Sequence, residues 1–338
     1  NCSPNTASFT IFGSLSPAAA SFFARVSIIM GTYNGAEYIR EQLDSILSQT
    51  YPLKEIIIQD DGSTDDTVAI CTAYAEKFPI IHFSRNASNL GFNQNFKSAA
   101  MKATGDFVAF SDQDDVWFPT KIEKQVAAIG NHDICFSTHL RGADREHTHL
   151  VNPQYSLEAL LFCGFAGHTM LLRREFIQTS EYWLPNIMYD WSLAICAQLH
   201  GGIVMVDEPL NWHRTNLASA CHEELKQAGK KMDARPTYQP YLYGIANYRR
   251  LQQQPNWQML YTYIYEHTRE PKFALAHRMS YYMLHHNLLA LFCLCFLCLK
   301  HGDKIYYSKY QRGLMAKIRA FCYPLIFSYN NIQYNRQS

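Results

Sequence analysis

Short apolar runs alternate with helix-like stretches through the first third of this chain. The runs occupy residues 26–30, 55–59, 80–83 and 107–110, and a polar loop follows each of them. Between the runs, apolar residues recur at helical spacing over 39–47, 64–78 and 93–103, with Ser63 or Thr64 as the expected cap of the second helix. Strands that alternate with helices predict an α/β fold with a mainly parallel sheet flanked by helices.

The middle of the chain continues this pattern less regularly. The sequence predicts a helix over 121–129 and strands over 134–137 and 203–206. The polar stretch 141–149 and three nearby histidines, His139, His147 and His149, have no fixed ligand spacing. They are interpreted as a surface loop, with metal binding as the alternative.

Composition narrows the class of protein. Hydrophobic residues make up 48% of the 338, enough for a substantial core. The 30 basic and 29 acidic residues give a formal net charge of +1, so no overall field favours nucleic acid as a partner. The 10 cysteines are scattered through apolar stretches, which is typical of reduced thiols in a cytoplasmic protein. Cys293, Cys295 and Cys298 are expected to be buried thiols, because no second ligand cluster accompanies them.

Three polar loops follow predicted strands. They contain Thr32, Tyr33 and Asn34 after the first strand, Asp60 and Asp61 after the second, and Asp112 to Asp115 after the fourth. Ligands of open α/β sheets bind outside the carboxyl ends of the strands, so these loops form the candidate site. The chain lacks a Gly-x-Gly-x-x-Gly before its first helix and a Gly-Lys-Ser/Thr, which disfavours dinucleotide redox and P-loop chemistry.

The acidic loops suggest two kinds of ligand. Asp112, Asp114 and Asp115 crowd one turn, and such crowding needs a cation or hydrogen-bond donors to offset it. Their hard oxygen atoms favour Mg or Mn, although a solvated acidic turn remains the alternative. Asp60 and Asp61 could accept hydrogen bonds from the base and ribose of a nucleotide, or could form only a turn and helix cap.

Several segments together resemble the inverting family 2 glycosyltransferases with the GT-A fold. They read Val-Ser-Ile-Ile-Met-Gly-Thr-Tyr-Asn-Gly, Asp-Asp-Gly-Ser-Thr-Asp-Asp-Thr, Asn-Leu-Gly, and Ala-Thr-Gly-Asp leading into Phe-Ser-Asp-Gln-Asp-Asp-Val-Trp. The resemblance extends from about residue 25 to 216. The loop Ser-Asp-Gln-Asp-Asp-Val-Trp is most similar to the rhamnosyltransferase-like branch, which builds bacterial surface polysaccharides.

This resemblance implies roles for individual residues. Thr32, Tyr33, Asn34, Asp60, Asp61 and Asn89 would hold the nucleoside, Asp112 and Asp114 the metal and diphosphate, and Asp115 the donor sugar. Asp190, an acidic residue followed by an aromatic at a helix start, would be the general base of an inverting transfer. Without the resemblance, Asp190 could simply be a favourable residue in a first helical turn. The segment 162–172, with Gly164 and Gly167, resembles the part that lines the pocket between donor and acceptor.

The end of the resembling region departs from the family pattern. Related enzymes often read Tyr-Arg-Gln-His, whereas this chain reads Trp-His-Arg-Thr-Asn over 212–216. Arg214 is expected to meet the diphosphate. His213 is a candidate metal ligand whose role the departure leaves open.

The sequence predicts three regions. Residues 1–24 are expected to be a loosely ordered extension, and Asn1 to Ser21 lacks the Lys or Arg that precedes a signal-peptide core. Residues 25–216 would form the transferase domain, with a donor half over 25–130 and an acceptor half over 131–216. Residues 217–338 would be mainly helical.

An apolar run in the last region suggests a peripheral membrane contact. Residues 288–299 are wholly apolar and too few to cross a bilayer. They form either a buried helix or an interfacial one beside Arg278, Lys300, Lys304, Lys309 and Arg312, at the inner face of the plasma membrane.

The predicted function is therefore inverting glycosyl transfer. The donor would be a nucleotide sugar, either dTDP-rhamnose-like or a UDP-sugar, and the acceptor a saccharide or lipid-linked saccharide. The alternatives are a UDP-hexose or UDP-N-acetylhexosamine transferase, and a non-catalytic module that binds nucleotide sugars or glycans. A nucleotidyltransferase would usually begin with a Gly-rich loop and a basic residue, which residues 31–35 lack.

Overall fold

The computed structural model describes residues 24–215, 238–306 and 313–331. Within these residues a nine-stranded mixed sheet has the strand order β3-β2-β1-β4-β8-β6-β9-β5, and β7 pairs with β6. The strands are β1 Val26–Thr32, β2 Leu53–Asp60, β3 Ile81–Arg85, β4 Phe107–Ser111, β5 Val116–Trp117, β6 Ile134–Gly142, β7 Thr148–Val151, β8 Met170–Arg173 and β9 Ile203–Arg214. The predicted α/β fold is confirmed.

Helices cover both faces of the sheet. Those of the first two thirds are α1 Ile39–Leu47, α2 Thr67–Lys77, α3 Phe92–Ala100, α4 Lys121–Ile129, α5 Leu157–Leu160, α6 Arg174–Ile177 and α7 Tyr189–Leu199. Those of the last third are α8 Gln239–Gln252, α9 Pro255–His267, α10 Ala274–Leu284, α11 Leu288–Lys300, α12 Gly302–Ile305, α13 Leu314–Phe321 and α14 Tyr323–Asn331.

The register of the first four strands brings the polar loops together. Strand β1 pairs in parallel with β2 and β4, and Thr32 lies opposite Asp60 while Met30 lies opposite Ser111. The three loops that follow these strands therefore share one edge of the sheet, as the sequence predicts. Beyond β4 the sheet becomes mixed, because β8 is antiparallel to both β4 and β6.

Alternating side chains divide the core into two clusters. Ile28, Met30 and Ile58 point to one face, against α1, and Ile29 and Phe110 point to the other. The second cluster also contains buried residues of α8 to α11, such as Trp257. The last third therefore packs into the same core as the sheet.

Two local predictions are wrong. Helix α2 begins at Thr67, after Asp66, so neither Ser63 nor Thr64 caps it. Instead, Ser63 joins the loop after β2 to Asp60. The polar stretch 141–149 is partly strand, since β6 and β7 form an antiparallel pair, and His139 lies within β6 at 5% exposure. The predicted extension 1–24 lies almost wholly outside the described residues, as do Lys309 and Arg312.

Candidate functional site

The carboxylate of Asp60 is fully engaged by the protein itself. It accepts hydrogen bonds from the Thr32 hydroxyl at 3.0 Å and from the backbone N–H groups of Gly62 at 3.1 Å and Ser63 at 3.0 Å. The Arg85 Nε lies 3.4 Å away and the Ser63 hydroxyl also donates to it. These bonds fix the turn after β2, where Gly62 adopts a φ of +94°.

Asp61 performs a similar task for the next loop. Its carboxylate accepts from the Asn86 amide at 2.7 Å and from the backbone N–H groups of Leu90 at 2.8 Å and Gly91 at 2.9 Å. Asn89 is exposed beside this turn and accepts from the Gly91 N–H at 3.0 Å. The two acidic residues thus hold the loops after β2 and β3 in one arrangement.

The loop after β1 is tied to both acidic loops. Asn34, with a φ of +48°, receives the Thr64 N–H on its side-chain oxygen at 2.8 Å. The Gln113 side chain bonds both the N–H and the C=O of Tyr33, at 3.0 and 2.9 Å. The Tyr33 side chain itself is 50% exposed at the edge of the sheet, so it is available to a ligand.

A cluster of acidic and imidazole groups lies at the end of β4. Potential metal-ligating atoms of Asp112, Asp115, His168 and His213 all lie within 4.8 Å of one another. The Asp115 carboxylate is buried between the two imidazoles, with the Nδ1 of His168 at 3.0 Å and the Nδ1 of His213 at 3.1 Å. We call these four residues the Asp/His cluster. It includes Asp112 and His213 of the predicted metal ligands but not Asp114.

Two further side chains surround the Asp/His cluster. The Asn211 Nδ2 donates to Asp115 at 3.2 Å, and the His139 ring lies 4.9 Å from that of His168, centroid to centroid. The Nε2 of His168, the Nδ1 of His139 and the Oδ1 of Asn211 are buried without a protein partner. Unpartnered buried nitrogen and oxygen atoms are costly, and a bound cation or its water ligands would satisfy them.

The electrostatics of the cluster also favour a cation. Burial raises the pKa of Asp112 well above its ordinary value, and the charges of Asp115 and Asp114 raise it further. Burial also opposes ionisation of Asp115, but His168 and His213 outweigh it and lower the pKa of that carboxyl. Burial likewise opposes the charged form of His213, yet Asp115 raises the pKa of this imidazole. The ionised form of Asp112 is therefore disfavoured in the protein alone, and a cation beside Asp112 would stabilise it.

Arg214 lies beside the acidic loop and is held on several sides. Its guanidinium stacks on Tyr38 at 4.5 Å and Trp212 at 4.4 Å, and its Nε donates to the backbone oxygen of Asp114 at 3.2 Å. Glu41 pairs with Arg214 at 2.5 Å and with Arg145 at 2.6 Å. Two guanidinium groups consequently share one carboxylate next to the Asp/His cluster.

Asp190 lies in the first turn of α7, as the sequence predicts. Its carboxylate accepts from the Trp191 N–H at 2.8 Å. Burial raises the pKa of Asp190 to about 6, although hydrogen bonds from the backbone N–H groups of Trp191 and Gly167 oppose the shift. The charge of Asp190 contributes to the raised pKa of Asp112, so the two carboxylates lie within electrostatic reach.

Two glycines allow the start of α7 to approach the segment before β8. A Cβ on Gly167 would lie 2.2 Å from the Tyr189 hydroxyl, and one on Gly164 would lie 2.9 Å from the Trp191 Cβ. The Trp191 indole donates to the backbone oxygen of Leu160 at 2.6 Å, which fixes the approach. The glycines of segment 162–172 therefore position the helix turn that carries Asp190.

Sequence reasoning missed part of this site. The sequence alone does not mark His168, Asn211 or Glu41 as site residues, and it predicts a surface loop for His139. A lone His between Gly167 and Thr169 has no spacing that marks it as a ligand. Its role depends on the pairing of β8 and β9 with β6, which brings residues 168 and 211 beside Asp115.

Residues 27–189 match the family model described as Glycosyl transferase family 2. Among curated proteins, the putative glycosyltransferase EpsE of Bacillus subtilis is 40% identical over 109 residues, which cover 32% of this chain and 39% of EpsE. The uncharacterized protein Rv1520 of Mycobacterium tuberculosis is 32% identical over 225 residues, covering 62% of this chain and 64% of that protein. The chain thus spans less than two thirds of the length of either relative.

Two solved structures share the fold over nearly the whole chain. Staphylococcus aureus TarS 1-349 in complex with UDP-GlcNAc has a TM-score of 0.54 at 18% identity, covering 91% of this chain and 92% of that one. The mannosyltransferase PcManGT from Pyrobaculum calidifontis, in complex with GDP-Man and Mn2+, has a TM-score of 0.54 at 17% identity, covering 94% of this chain and 89% of that one. These likenesses, with the mixed sheet and helical last third, confirm the predicted GT-A fold.

Proposed function

We propose that this chain catalyses inverting transfer of a sugar from a nucleoside diphosphate to a saccharide hydroxyl, because residues 27–189 match the family 2 glycosyltransferase model within a GT-A fold. The observation that carries the proposal is the arrangement of Asp190 near the Asp/His cluster at one edge of the sheet. A carboxyl group with a pKa of about 6 suits proton abstraction near neutral pH.

The reaction proposed for this site is a single displacement. As the acceptor oxygen bonds to the anomeric carbon of the donor sugar, Asp190 takes the proton of that hydroxyl group. The bond from the anomeric carbon to the diphosphate oxygen breaks on the opposite face, and its electron pair leaves with the nucleoside diphosphate. One base suffices and no protein nucleophile is required.

A divalent cation fits the Asp/His cluster. Asp112, Asp115, His168 and His213 offer two carboxylates and two imidazoles, and a cation there would offset the charge that raises the pKa of Asp112. When bound, such a cation supplies positive charge next to the departing diphosphate. Asp114, whose backbone holds Arg214, is proposed to orient the acidic loop beside that cation.

Arg214 is proposed to contact the diphosphate. Its guanidinium lies beside the acidic loop and is already oriented by Tyr38 and Trp212. Bidentate recognition of phosphate is a common role of an oriented Arg. Glu41 occupies this guanidinium in the structure, so donor binding would require Arg214 to exchange a carboxylate partner for a phosphate.

The nucleoside is proposed to bind across the loops after β1, β2 and β3. Thr32, Asn34 and Asp60 are proposed to shape these loops, because their side chains bond one another or the turn after β2. Exposed Tyr33 and Asn89 are proposed to touch the ligand directly, with Asp61 at the junction between the loops.

The donor and acceptor are proposed from several separate indications. The loop 111–117 resembles the rhamnosyltransferase-like branch, which favours a dTDP-rhamnose-like donor and a role in bacterial surface polysaccharide assembly. TarS was solved with UDP-GlcNAc, so a UDP-hexose or UDP-N-acetylhexosamine donor is the principal alternative. We propose a saccharide or lipid-linked saccharide acceptor at the cytoplasmic face of the membrane.

Thermal unfolding in the presence of UDP, GDP and dTDP, each with Mn2+, Mg2+ or EDTA, tests this proposal. A ligand that binds only the folded protein raises its midpoint, so we expect metal-dependent stabilisation by one nucleoside diphosphate. No stabilisation by any of them at saturating concentration would contradict the donor site. Stabilisation without turnover of a matching donor and acceptor would instead favour the non-catalytic binding module.

A further inference from the structure

Helix α11 carries an apolar stripe that the rest of the described chain leaves uncovered. Its buried side faces the core through Leu291, Leu294, Cys295 and Cys298. The opposite side presents residues spaced by three or four positions, with exposed fractions between 36% and 75%: Leu288, Leu289, Phe292, Phe296 and Leu299. Large apolar side chains at this spacing give a continuous stripe along the helix.

Helix α13 extends the stripe sideways. Leu314, Met315 and Ile318 are 74%, 61% and 38% exposed. The Phe321 ring at the end of α13 lies 6.3 Å from Phe292 and 5.2 Å from Phe296, so the two helices are neighbours. We call the exposed apolar residues of α11 and α13 the apolar face. A patch of this kind marks an interaction site.

Positive charges accompany the apolar face. Lys300 of α11, Lys304 of α12 and Lys317 of α13 are exposed, and Arg319 of α13 is partly exposed. Asp303 is the only carboxylate side chain among residues 288–306 and 313–331, the described part of this region. Apolar side chains next to cations complement a lipid surface with anionic headgroups.

The helices that carry the apolar face are too short to cross a membrane. Helix α11 has 13 residues, well short of the roughly 20 that span a bilayer. None of the helices within residues 24–215, 238–306 and 313–331 is long and apolar enough to cross one.

We propose that the apolar face docks on the surface of an anionic lipid bilayer, with its apolar side chains in the boundary between headgroups and acyl chains and its cations on the headgroups. The docking proposal does not depend on the proposed transferase function. The idea that docking brings the site to a lipid-linked acceptor does depend on that function.

The apolar face is attached to the acceptor side of the candidate site. Tyr323 follows α13 after one residue, and its ring lies 5.0 Å from that of Phe162. Phe162 precedes Cys163 and Gly164, and Gly164 contacts the turn that carries Asp190. The Ser156 hydroxyl donates to the backbone oxygen of Lys304 at 2.7 Å, which fixes α12 to the catalytic domain. These contacts join the helices of the apolar face to the segment that packs against the turn carrying Asp190.

Flotation of the full chain with vesicles tests the proposal. The vesicles contain phosphatidylcholine alone or an equal mixture of phosphatidylcholine and phosphatidylglycerol. We expect the chain to float with the mixed vesicles and to bind them at least about tenfold more tightly than a Leu289→Glu/Phe292→Glu variant does. Lys300→Gln and Lys317→Gln should each weaken binding to the mixed vesicles about fivefold, and added salt should weaken it further.

A control variant tests whether a charge at any exposed leucine, rather than at the apolar face, would weaken vesicle binding. Leu150 on β7 is 45% exposed, similar to Leu288, and Leu150→Glu should float like the wild type. Equal flotation of the double variant and the wild type overturns the proposal. A second result would also overturn it: sedimentation shows a dimer for the wild type but not for the double variant, and neither protein binds vesicles. The apolar face would then be an interface between copies of the chain.

The transferase function is tested separately on the same samples. The double variant should keep the wild-type thermal midpoint and its stabilisation by nucleoside diphosphate. Failure of flotation with intact nucleotide binding would refute docking alone, and failure of nucleotide binding in the wild type would refute the donor site alone.

Discussion

At the scale of single residues, Asp190 combines a raised pKa with a fixed orientation. Replacing it by Asn removes the proton acceptor and keeps the shape of the side chain. Because a positioned base contributes on the order of a hundred- to ten-thousand-fold, we expect kcat to fall by that factor. Stabilisation by the nucleoside diphosphate should survive the substitution. A variant that retains wild-type turnover would remove Asp190 from the proposed mechanism.

The pH dependence of turnover follows from the same pKa. In the proposed mechanism Asp190 acts in its deprotonated form, and its pKa is raised to about 6. Turnover should therefore be high above this pH and fall about tenfold per pH unit below it. A profile of kcat against pH measures this, and a flat profile between pH 5 and 7 would contradict it.

The Asp/His cluster predicts a preference among metals. Two imidazoles and two carboxylates suit Mn2+ better than Mg2+, which favours oxygen ligands alone. Calorimetric titration should show tighter binding of Mn2+, and His168→Asn should weaken it roughly ten- to hundredfold. His147→Gln provides the control, since the His147 side chain is exposed and pairs with Asp144, which is not a member of the cluster. Equal weakening by both substitutions would point to a general loss of structure.

At the scale of elements, α7 and the segment before β8 approach each other closely beside the site. A Cβ at Gly167 would lie 2.2 Å from the Tyr189 hydroxyl, and the Tyr189 ring is held by Phe96 and Phe110 at 4.8 Å each. Gly167→Ala should destabilise folding by about 1–3 kcal/mol and should lower kcat by displacing Asp190. Urea unfolding and turnover measure the two effects.

Gly302 offers the matched control for that substitution. Its added Cβ would meet the Ala320 Cβ at 3.4 Å, an ordinary contact, at the start of α12. Gly302→Ala should change stability by less than about 0.5 kcal/mol and leave turnover intact. Similar losses in both variants would show that the approach of α7 is not the cause.

The sequence predicts those helices and strands that have a clear hydrophobic pattern of their own. It does not predict short strands that form only because they pair with neighbouring strands. The apolar run of β4 and the helical spacing of α4 mark these elements in the sequence alone. Strand β5 has two residues and β8 four, too short for any periodicity, and each exists because of its partners in the sheet. The acidic loop was predictable because it directly follows the apolar run of β4. The place of His168 in the site was not, because it depends on the register of β8.

At the scale of the whole molecule, the last third shares a core with the catalytic domain. The buried Tyr261 of α9 donates its hydroxyl to the backbone oxygen of Leu161 at 2.5 Å. Tyr261→Phe leaves that oxygen unpaired and should lower the free energy of unfolding by about 1–3 kcal/mol. Tyr243→Phe, at a side chain that is 57% exposed, should change it little.

The shared core also predicts how the molecule unfolds. Urea unfolding followed by tryptophan fluorescence and by circular dichroism should give one coincident transition, because Trp257 and Phe110 belong to the same cluster. Two separated transitions, with only one shifted by Tyr261→Phe, would show that the helical third unfolds independently.

The late position of β9 in the chain has a consequence for biosynthesis. His213 contacts Asp115 across 98 residues, and β9 pairs with both β5 and β6. A ribosome releases the acidic loop long before β9, so nascent chains carry Asp115 without the Asn211 amide and the His213 imidazole that contact it in the folded protein. Such long-range pairings form slowly, and the proposed cation site is complete only when β9 has joined the sheet. The proposed capacity to bind a cation thus distinguishes chains in which β9 has joined the sheet from those still being translated.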